Sequence, residues 1–164
     1  MTKIGILSDT HGLLDPRIFE HFKDVDEIWH AGDIGSEEVL ERLRKFKPTR
    51  AVKGNIDSGA LVYELQETEY WQTEGVRVMM THIGFQRGFL TPRVQYQLQR
   101  QPANLFVCGH SHILRVKFDP QRQMLCVNPG AAGKYGIQIM QTLLRLTIDG
   151  DQIKDLEVVE LARR

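Results

Sequence analysis

Residues 104–116, NLFVCGHSHILRV, begin as a buried strand through Leu105, Phe106, Val107 and Cys108, break at Gly109-His110-Ser111-His112, and resume as Ile113, Leu114, Arg115 and Val116. Two histidines at such a break are either ordinary turn residues or half of a ligand set whose other half lies elsewhere in the chain. If the segment is extended, residues two apart point to one side, so His110 and His112 aim together past the end of the strand while Ser111 faces away.

Four other apolar runs end in the same way: ILSDTH, IWHAGD, AVKGN and VMMTH. With FVCGHSH they deliver Asp9, His11, Asp33, Asn55, His82, His110 and His112, a mixture of imidazole, carboxylate and amide donors that suits borderline divalent transition metals. In open α/β sheets ligands bind beyond the carboxyl ends of the strands, which is where these endings would gather. Gly12, Gly32, Gly54 and Gly109 stand beside the donors, where the backbone must turn sharply or approach a neighbour closely. A lone H-x-H or Gly-Asp is usually just a turn. All five endings together, using four of the six histidines in the chain, are not explained by turn chemistry.

Seven donors exceed one tetrahedral site. If Asp33, in the middle of the series, bridges two ions, each receives four protein bonds and keeps open positions. Two cations about 3.5–4 Å apart acidify a bridging water and hold both oxygens of an in-line displacement at phosphorus.

The rest of the chain supplies the scaffold. Ile4 to Leu7 reads as a strand, followed by a helix with Asp15 as N-cap and Pro16 at its first position. The burst from Val25 to Trp29 leads to a helix capped by Ser36, with Glu37 and Glu38 at its positive end and Val39, Leu40, Leu43 and Phe46 on one face. TRAVKGN is a third strand, and LVYELQETEYWQTEGVRVMMTH reads as two or three strand-like runs divided by Gly75. Thr91-Pro92 opens a helix through about Arg100. Beyond Asn104 come LFVC, ILRVKFD, QMLCVNPG, IQIMQTLLRLTI and QIKDLEVVEL, short strands with a hairpin signal at Asp149-Gly150. The pattern is α/β giving way to β, and the simplest architecture is two packed sheets with helices outside.

The 164 residues, 41% hydrophobic and 26% charged, suit a single domain over 1–164. Twenty-one basic residues balance 21 acidic ones, so the electrostatic footprint of a protein that holds long nucleic acid is missing. No run reaches the roughly 18 apolar residues of a membrane span, and the first apolar run meets Asp9 too soon for a signal peptide. Cys108 and Cys126 sit in apolar runs without C-x-x-C spacing and are expected to be buried reduced thiols. The expected setting is the cytoplasm, with no membrane partner.

The order D-x-H, G-D, G-N, H, G-H-x-H, present as Asp9/His11, Gly32-Asp33, Gly54-Asn55, His82 and Gly109-His110-Ser111-His112, resembles that of the calcineurin-like metallophosphoesterases over residues 3 to about 133. HAGD with His30, GNID and the later NPG are similar to the small YfcE-type phosphodiesterases. The resemblance implies a four-layer α-β-β-α sandwich of two mixed sheets flanked by helices, with a dinuclear centre at one edge. Asp9, His11, Asp33 and His112 would hold one metal, and Asp33, Asn55, His82 and His110 the other, with Asn55 also donating an amide hydrogen to a substrate phosphate oxygen. Manganese is the expected ion, with nickel, iron or zinc as further occupants. The implied activity is hydrolysis of a small phosphodiester or nucleotide-like substrate by a metal-bridging hydroxide. Two alternatives share the fold: a diadenosine-polyphosphate or nucleotide hydrolase, and a protein-interaction scaffold like the retromer subunit, whose ligand set is degraded.

This chain departs from the family pattern in three places. Ile56 stands where larger relatives carry the histidine thought to protonate the leaving oxygen, which leaves Asp57 as a candidate acid or loop cap. THIG replaces T-H-G, and Ala131 stands in NPGAAG where serine is usual. Arg87, after His82, is the candidate phosphate clamp, and Arg93 a second one. His30 is expected to play a supporting or core role, and the C-terminal hairpin offers a sheet edge for a homodimer.

Overall fold

The parallel strands that end in metal-capable residues fall into two sheets. In the computed structural model, which describes residues 1–163, β1 (Thr2–Leu7), β2 (Glu27–His30) and β3 (Thr49–Ala51) run parallel in one sheet. Antiparallel β11 (Met140–Asp149) and β12 (Gln152–Ala162) extend that sheet beyond β1, giving the order β12-β11-β1-β2-β3. The second sheet is built on parallel β5 (Val76–Thr81), β8 (Leu105–Val107) and β10 (Met124–Asn128), with β4 (Thr68–Thr73) and β9 (Arg115–Asp119) antiparallel at its edges.

The central strands are continuous apolar runs because both of their faces are covered. Ile4, Ile6 and Trp29 of the first sheet meet Val78, Met80, Leu105, Val107 and Val127 of the second. On the outer face of the first sheet, Leu7 and Ile28 pack against α1 (Arg17–His21), α2 (Glu37–Phe46) and α3 (Ala60–Glu64). Met79, Phe106 and Cys126 cover α4 (Pro92–Arg100) on the other side. The result is the α-β-β-α sandwich of two mixed sheets. Among the described residues no helix is long and apolar enough to cross a membrane.

The helix caps follow local chemistry. Ser36 Oγ accepts from the Val39 amide, and Thr91 Oγ1 accepts from the Val94 amide with Pro92 in the first turn. The first helix starts one residue later than expected. Pro16 is its flanking residue, and the Asp15 carboxylate accepts from the Arg17 amide at 2.9 Å. LVYEL is a correction, because it forms most of α3 rather than a strand. Short apolar runs do not distinguish the two states, and here Leu61 buries against the first sheet's helical layer. The strands expected from Ile113 and Ile137 begin only at Arg115 and Met140. In the C-terminal hairpin Asp149 pairs with Gln152, so the two turn residues are Gly150 and Asp151, with Gly150 at φ 62°. A small hairpin of β6 (Phe85–Gln86) and β7 (Phe89–Leu90), not foreseen in the sequence, follows His82.

Candidate metal centre

The carboxyl ends of β1, β2, β5 and β8 and the loop after β3 converge at one edge of the sandwich. Backbone bonds tie them together independently of the ligating side chains. The Asp9 amide donates to Gly32 O at 3.0 Å, the His11 amide to Asp33 O at 3.0 Å, and the Gly109 amide to His82 O at 3.0 Å. The NPGAAG segment closes over the end of β1, with the Ala132 amide on Ser8 O at 2.8 Å and the Gly133 amide on Asp9 O at 3.1 Å.

Two groups of donors gather within this frame. Asp9, His11 and His112 place one donor atom each within 4.8 Å of one another, and so do Asp33, His82 and His110. Asp33 Oδ2 lies between the groups, 3.4 Å from His11 Nε2 and 3.2 Å from His82 Nε2. Asp9 Oδ1 is 3.2 Å from His112 Nε2 and 3.8 Å from His11 Nε2. These are spacings expected of co-ligands, since two bonds of about 2.1 Å at tetrahedral or octahedral angles separate their donors by roughly 3–3.5 Å. Asn55 Oδ1 adjoins the second group, 3.1 Å from His110 Nδ1.

Several donors are already aimed. His82 Nδ1 lies 2.7 Å from Ala31 O and His112 Nδ1 lies 3.0 Å from Tyr135 O. An N–H given to a carbonyl in this way leaves Nε2 as the free ligand, the usual arrangement of a metal-binding histidine. Asp9 Oδ2 accepts from Ser8 Oγ at 2.7 Å and from the His110 amide at 3.1 Å, which turns Oδ1 toward the histidines. Asp9 Oδ1, His11 Nε2 and His82 Nε2 are buried without a hydrogen-bond partner among the described residues. Stranding three polar atoms together would be costly, and a cation satisfies all three at once. The residues therefore fit a divalent metal.

The charges of the metal-free site point the same way. Burial works against ionisation of Asp33, but neighbouring His82 outweighs it and holds the carboxyl below its ordinary range. Burial likewise opposes charge on His82, yet Asp33 and Asp9 raise its pKa, and Asp9 raises that of His112. His110 is lowered by burial and by His82.

One expectation for this segment is corrected. His110 and His112 do not belong to extended chain, because both are left-handed, at φ 75° and 63°. They serve different donor groups through this turn, and the alternation of a strand plays no part.

Two further candidates lie outside the donor groups. Asp57 Oδ1 accepts from the Gly35 amide at 2.8 Å, and Oδ2 accepts from the Gly54 amide at 2.8 Å and the Ile34 amide at 3.2 Å. With both oxygens committed to backbone donors, this carboxylate clasps the Asp33 and Asn55 loops together and is not placed as a proton donor. Arg87 sits in the turn between β6 and β7 and is exposed. It does not line the cleft beside Asn55 and His82, where Lys53 and Arg93 stand instead.

His30 has the supporting place expected of it. Its Nδ1 accepts from the Gly32 amide at 3.1 Å, and its Nε2 faces Thr10 Oγ1 at 3.0 Å, while that hydroxyl donates to Ile34 O at 2.8 Å. Only neutral imidazole with the proton on Nε2 completes this chain. Complete burial pushes its pKa down to about 4 from 6.5, against the opposing pull of Asp57 and Asp9. The unfolded chain therefore binds a proton that the folded chain refuses between these values. The metal-free protein should lose about 3 kcal/mol as pH falls from about 6.5 to about 4, and nothing further from this group below that. Urea unfolding across this range should show a shallower pH slope for His30→Gln, and equal slopes would refute the assignment.

Tyr135 was not singled out in the sequence. Its ring stacks on His11 with centroids 5.0 Å apart and planes 27° apart, and its carbonyl holds His112. Both contacts serve the Asp9 group alone. The only cue was a tyrosine soon after NPGAAG, and no periodicity connects it with the site. Tyr135→Ala, which removes the ring but leaves the carbonyl, should weaken the Asp9-group metal site by about tenfold, and His112→Ala, which removes a donor, by more, while His110→Ala weakens the other. Metal titration calorimetry separates the two, and a Tyr135→Ala protein with two unchanged sites would contradict the contact's role.

Fold and site together define a phosphoesterase-type scaffold with room for metal. A model of the calcineurin-like phosphoesterase superfamily domain matches residues 2–151, and the chain belongs to that family. A probable metallophosphoesterase from Methanothermobacter thermautotrophicus is 27% identical over 161 residues, covering 95% of this chain and 91% of that protein. Two solved structures share the fold. An archaeal phosphodiesterase has a TM-score of 0.77 at 21% identity, covering 97% of this chain and 99% of the other. Vps29 of Chaetomium thermophilum has a TM-score of 0.76 at 15% identity, with both chains fully covered. The family is one of metal-dependent hydrolases of phosphate esters.

Proposed function

We propose that the protein is a phosphodiesterase that works with two divalent cations. The observation that carries this reading is the pair of donor groups meeting at Asp33 Oδ2, with three buried donor atoms left unpartnered around it. Asp9, His11 and His112 would hold one ion, and His82, His110 and Asn55 the other, with Asp33 shared. Such a pair lowers the pKa of bound water and neutralises charge on phosphoryl oxygens. Nitrogen and oxygen donors of this kind accept manganese, nickel, iron or zinc, and manganese is the ion we expect.

The chain's own contribution is orientation. With Oδ1 turned toward His110, Asn55 keeps its Nδ2 protons for a phosphoryl oxygen. The next residue is Ile56, 43% exposed, and Asp57 is tied to three backbone amides. Protonation of the leaving oxygen thus has no side chain assigned to it at the Asn55 loop, and the substrate must supply a leaving group that departs as an anion. A small phosphodiester with a good leaving group fits this best. The interaction-scaffold alternative rests on fold alone, and the donor set favours the enzyme.

Metal analysis of protein purified without chelator should find about two transition-metal equivalents. Bis-aryl phosphate turnover should exceed alkyl monoester turnover. Protein that binds no transition metal and stays inactive with added manganese would end this reading, and a preference for alkyl monoesters would end its diester part.

A further inference from the structure

A cleft of about 580 Å³ opens directly from Asn55 and His82, on the side of the second donor group. Its size lies within the range of small-ligand sites. Because Asn55 and His82 belong to its lining, a phosphoryl group held by the second donor group would have this space within reach of an ester arm.

The charges in the lining are unequal. Lys53, Arg93 and Glu67 all line it, so two cations stand against one anion. Arg93 Nη1 is paired with Glu67 Oε1 at 2.9 Å, which leaves the other guanidinium nitrogens available. Lys53 Nζ gives one proton to Val62 O at 3.1 Å and retains two. The lysine is placed firmly, since its own amide donates to Gln66 O at 3.0 Å and it directly precedes Gly54-Asn55. The scissile phosphate would be provided for by Asn55 and by cations held in the donor groups, which leaves Lys53 and Arg93 surplus to it.

We propose that this cleft receives one ester arm of the substrate, and that Lys53 and Arg93 select an arm carrying an anionic group of its own, such as a phosphorylated, nucleotide-like alcohol. This rests on the phosphodiesterase reading and specifies its substrate class. Glu67 acts in the opposite sense, holding part of the Arg93 charge and weakening the preference.

The test compares adenosine 3′,5′-bisphosphate with AMP as inhibitors of bis-aryl phosphate hydrolysis, and as ligands of the manganese-loaded protein by calorimetry. The wild type should favour the bisphosphate by about tenfold, the worth of one charge-assisted contact. Lys53→Met and Arg93→Met should bring that ratio toward one, Lys53→Arg should keep it, and Glu67→Gln should raise it. A ratio near one in the wild type, or one indifferent to all four substitutions, overturns the proposal. If the wild type lacks bis-aryl activity with metal, the phosphodiesterase reading fails separately. Calorimetry on the manganese-loaded protein then still decides whether the cleft prefers the second anion.

Discussion

Asp33→Ala is expected to release both cations and to lower phosphodiester hydrolysis by at least about 10³-fold, because this carboxylate adjoins both donor groups and its loss exceeds the 10–100-fold cost of disturbing a ligand's supporting partner. Its Oδ2 lies within 3.4 Å of a histidine from each group, whereas every other donor adjoins one group more closely than the other. Asp33 Oδ1 also accepts from the Ile56 amide at 3.1 Å, so alanine removes a loop contact as well as a ligand. Asp33→Asn separates these effects. An amide oxygen can keep the Ile56 bond, and asparagine tolerates the left-handed backbone at φ 55°, so a folded Asp33→Asn protein without its two metals assigns the loss to the carboxylate. An Asp33→Ala protein that keeps two metals and full turnover would dismantle the shared-ligand geometry.

Gly54→Ala is expected to be severely damaging for so small a substitution. A β-carbon at this position would lie 2.1 Å from Asp33 Oδ1 and 2.2 Å from the Asp33 backbone nitrogen. The backbone cannot retreat easily, because Asp33 O accepts from His11 and the next residue's amide is held by Asp57. The cost should reach about 3 kcal/mol or more, at the upper end of overpacking, with loss of metal at both sites. Gly109→Ala makes a useful contrast. Its β-carbon would meet Ser8 Oγ at 2.1 Å and Asp9 Oδ2 at 2.9 Å, side-chain atoms that can shift where the Asp33 backbone cannot, so its cost to stability should be smaller. Urea unfolding of the two variants gives the comparison, and equal midpoints for Gly54→Ala and the wild type would show that the loop yields.

Much of this was legible in the sequence because donors at strand ends are a local signal. ILSDTH and VMMTH each show an apolar run and its polar ending within six residues, and parallel strands place such endings on one side. The caps at Ser36 and Thr91 were equally local. LVYEL was not, because its state is decided by Leu61 packing under the first sheet rather than by the run itself. The order of strands was hidden for a similar reason. β11 returns from the end of the chain to pair with β1, and nothing within Met140–Asp149 names its partner. Asp57 reaches the Ile34 and Gly35 amides and Tyr135 reaches His11 and His112 across long sequence separations, and which backbone groups and rings they meet is not disclosed by side-chain identity.

Five of the donor residues, Asp9, His11, Asp33, His110 and His112, have left-handed backbone at φ values from 48° to 75°. Such conformations cost non-glycine residues roughly 1–2 kcal/mol each, somewhat less for aspartate and histidine. The loops accept this strain because only these bends aim the side chains inward from so many strand ends. The site is consequently the part of the molecule most at odds with its own durability. A descendant no longer selected for chemistry would become hardier by exchanging these residues for glycine or asparagine, while the backbone ties between the loops would survive. Disuse would thus erase the ligands well before the architecture that carries them.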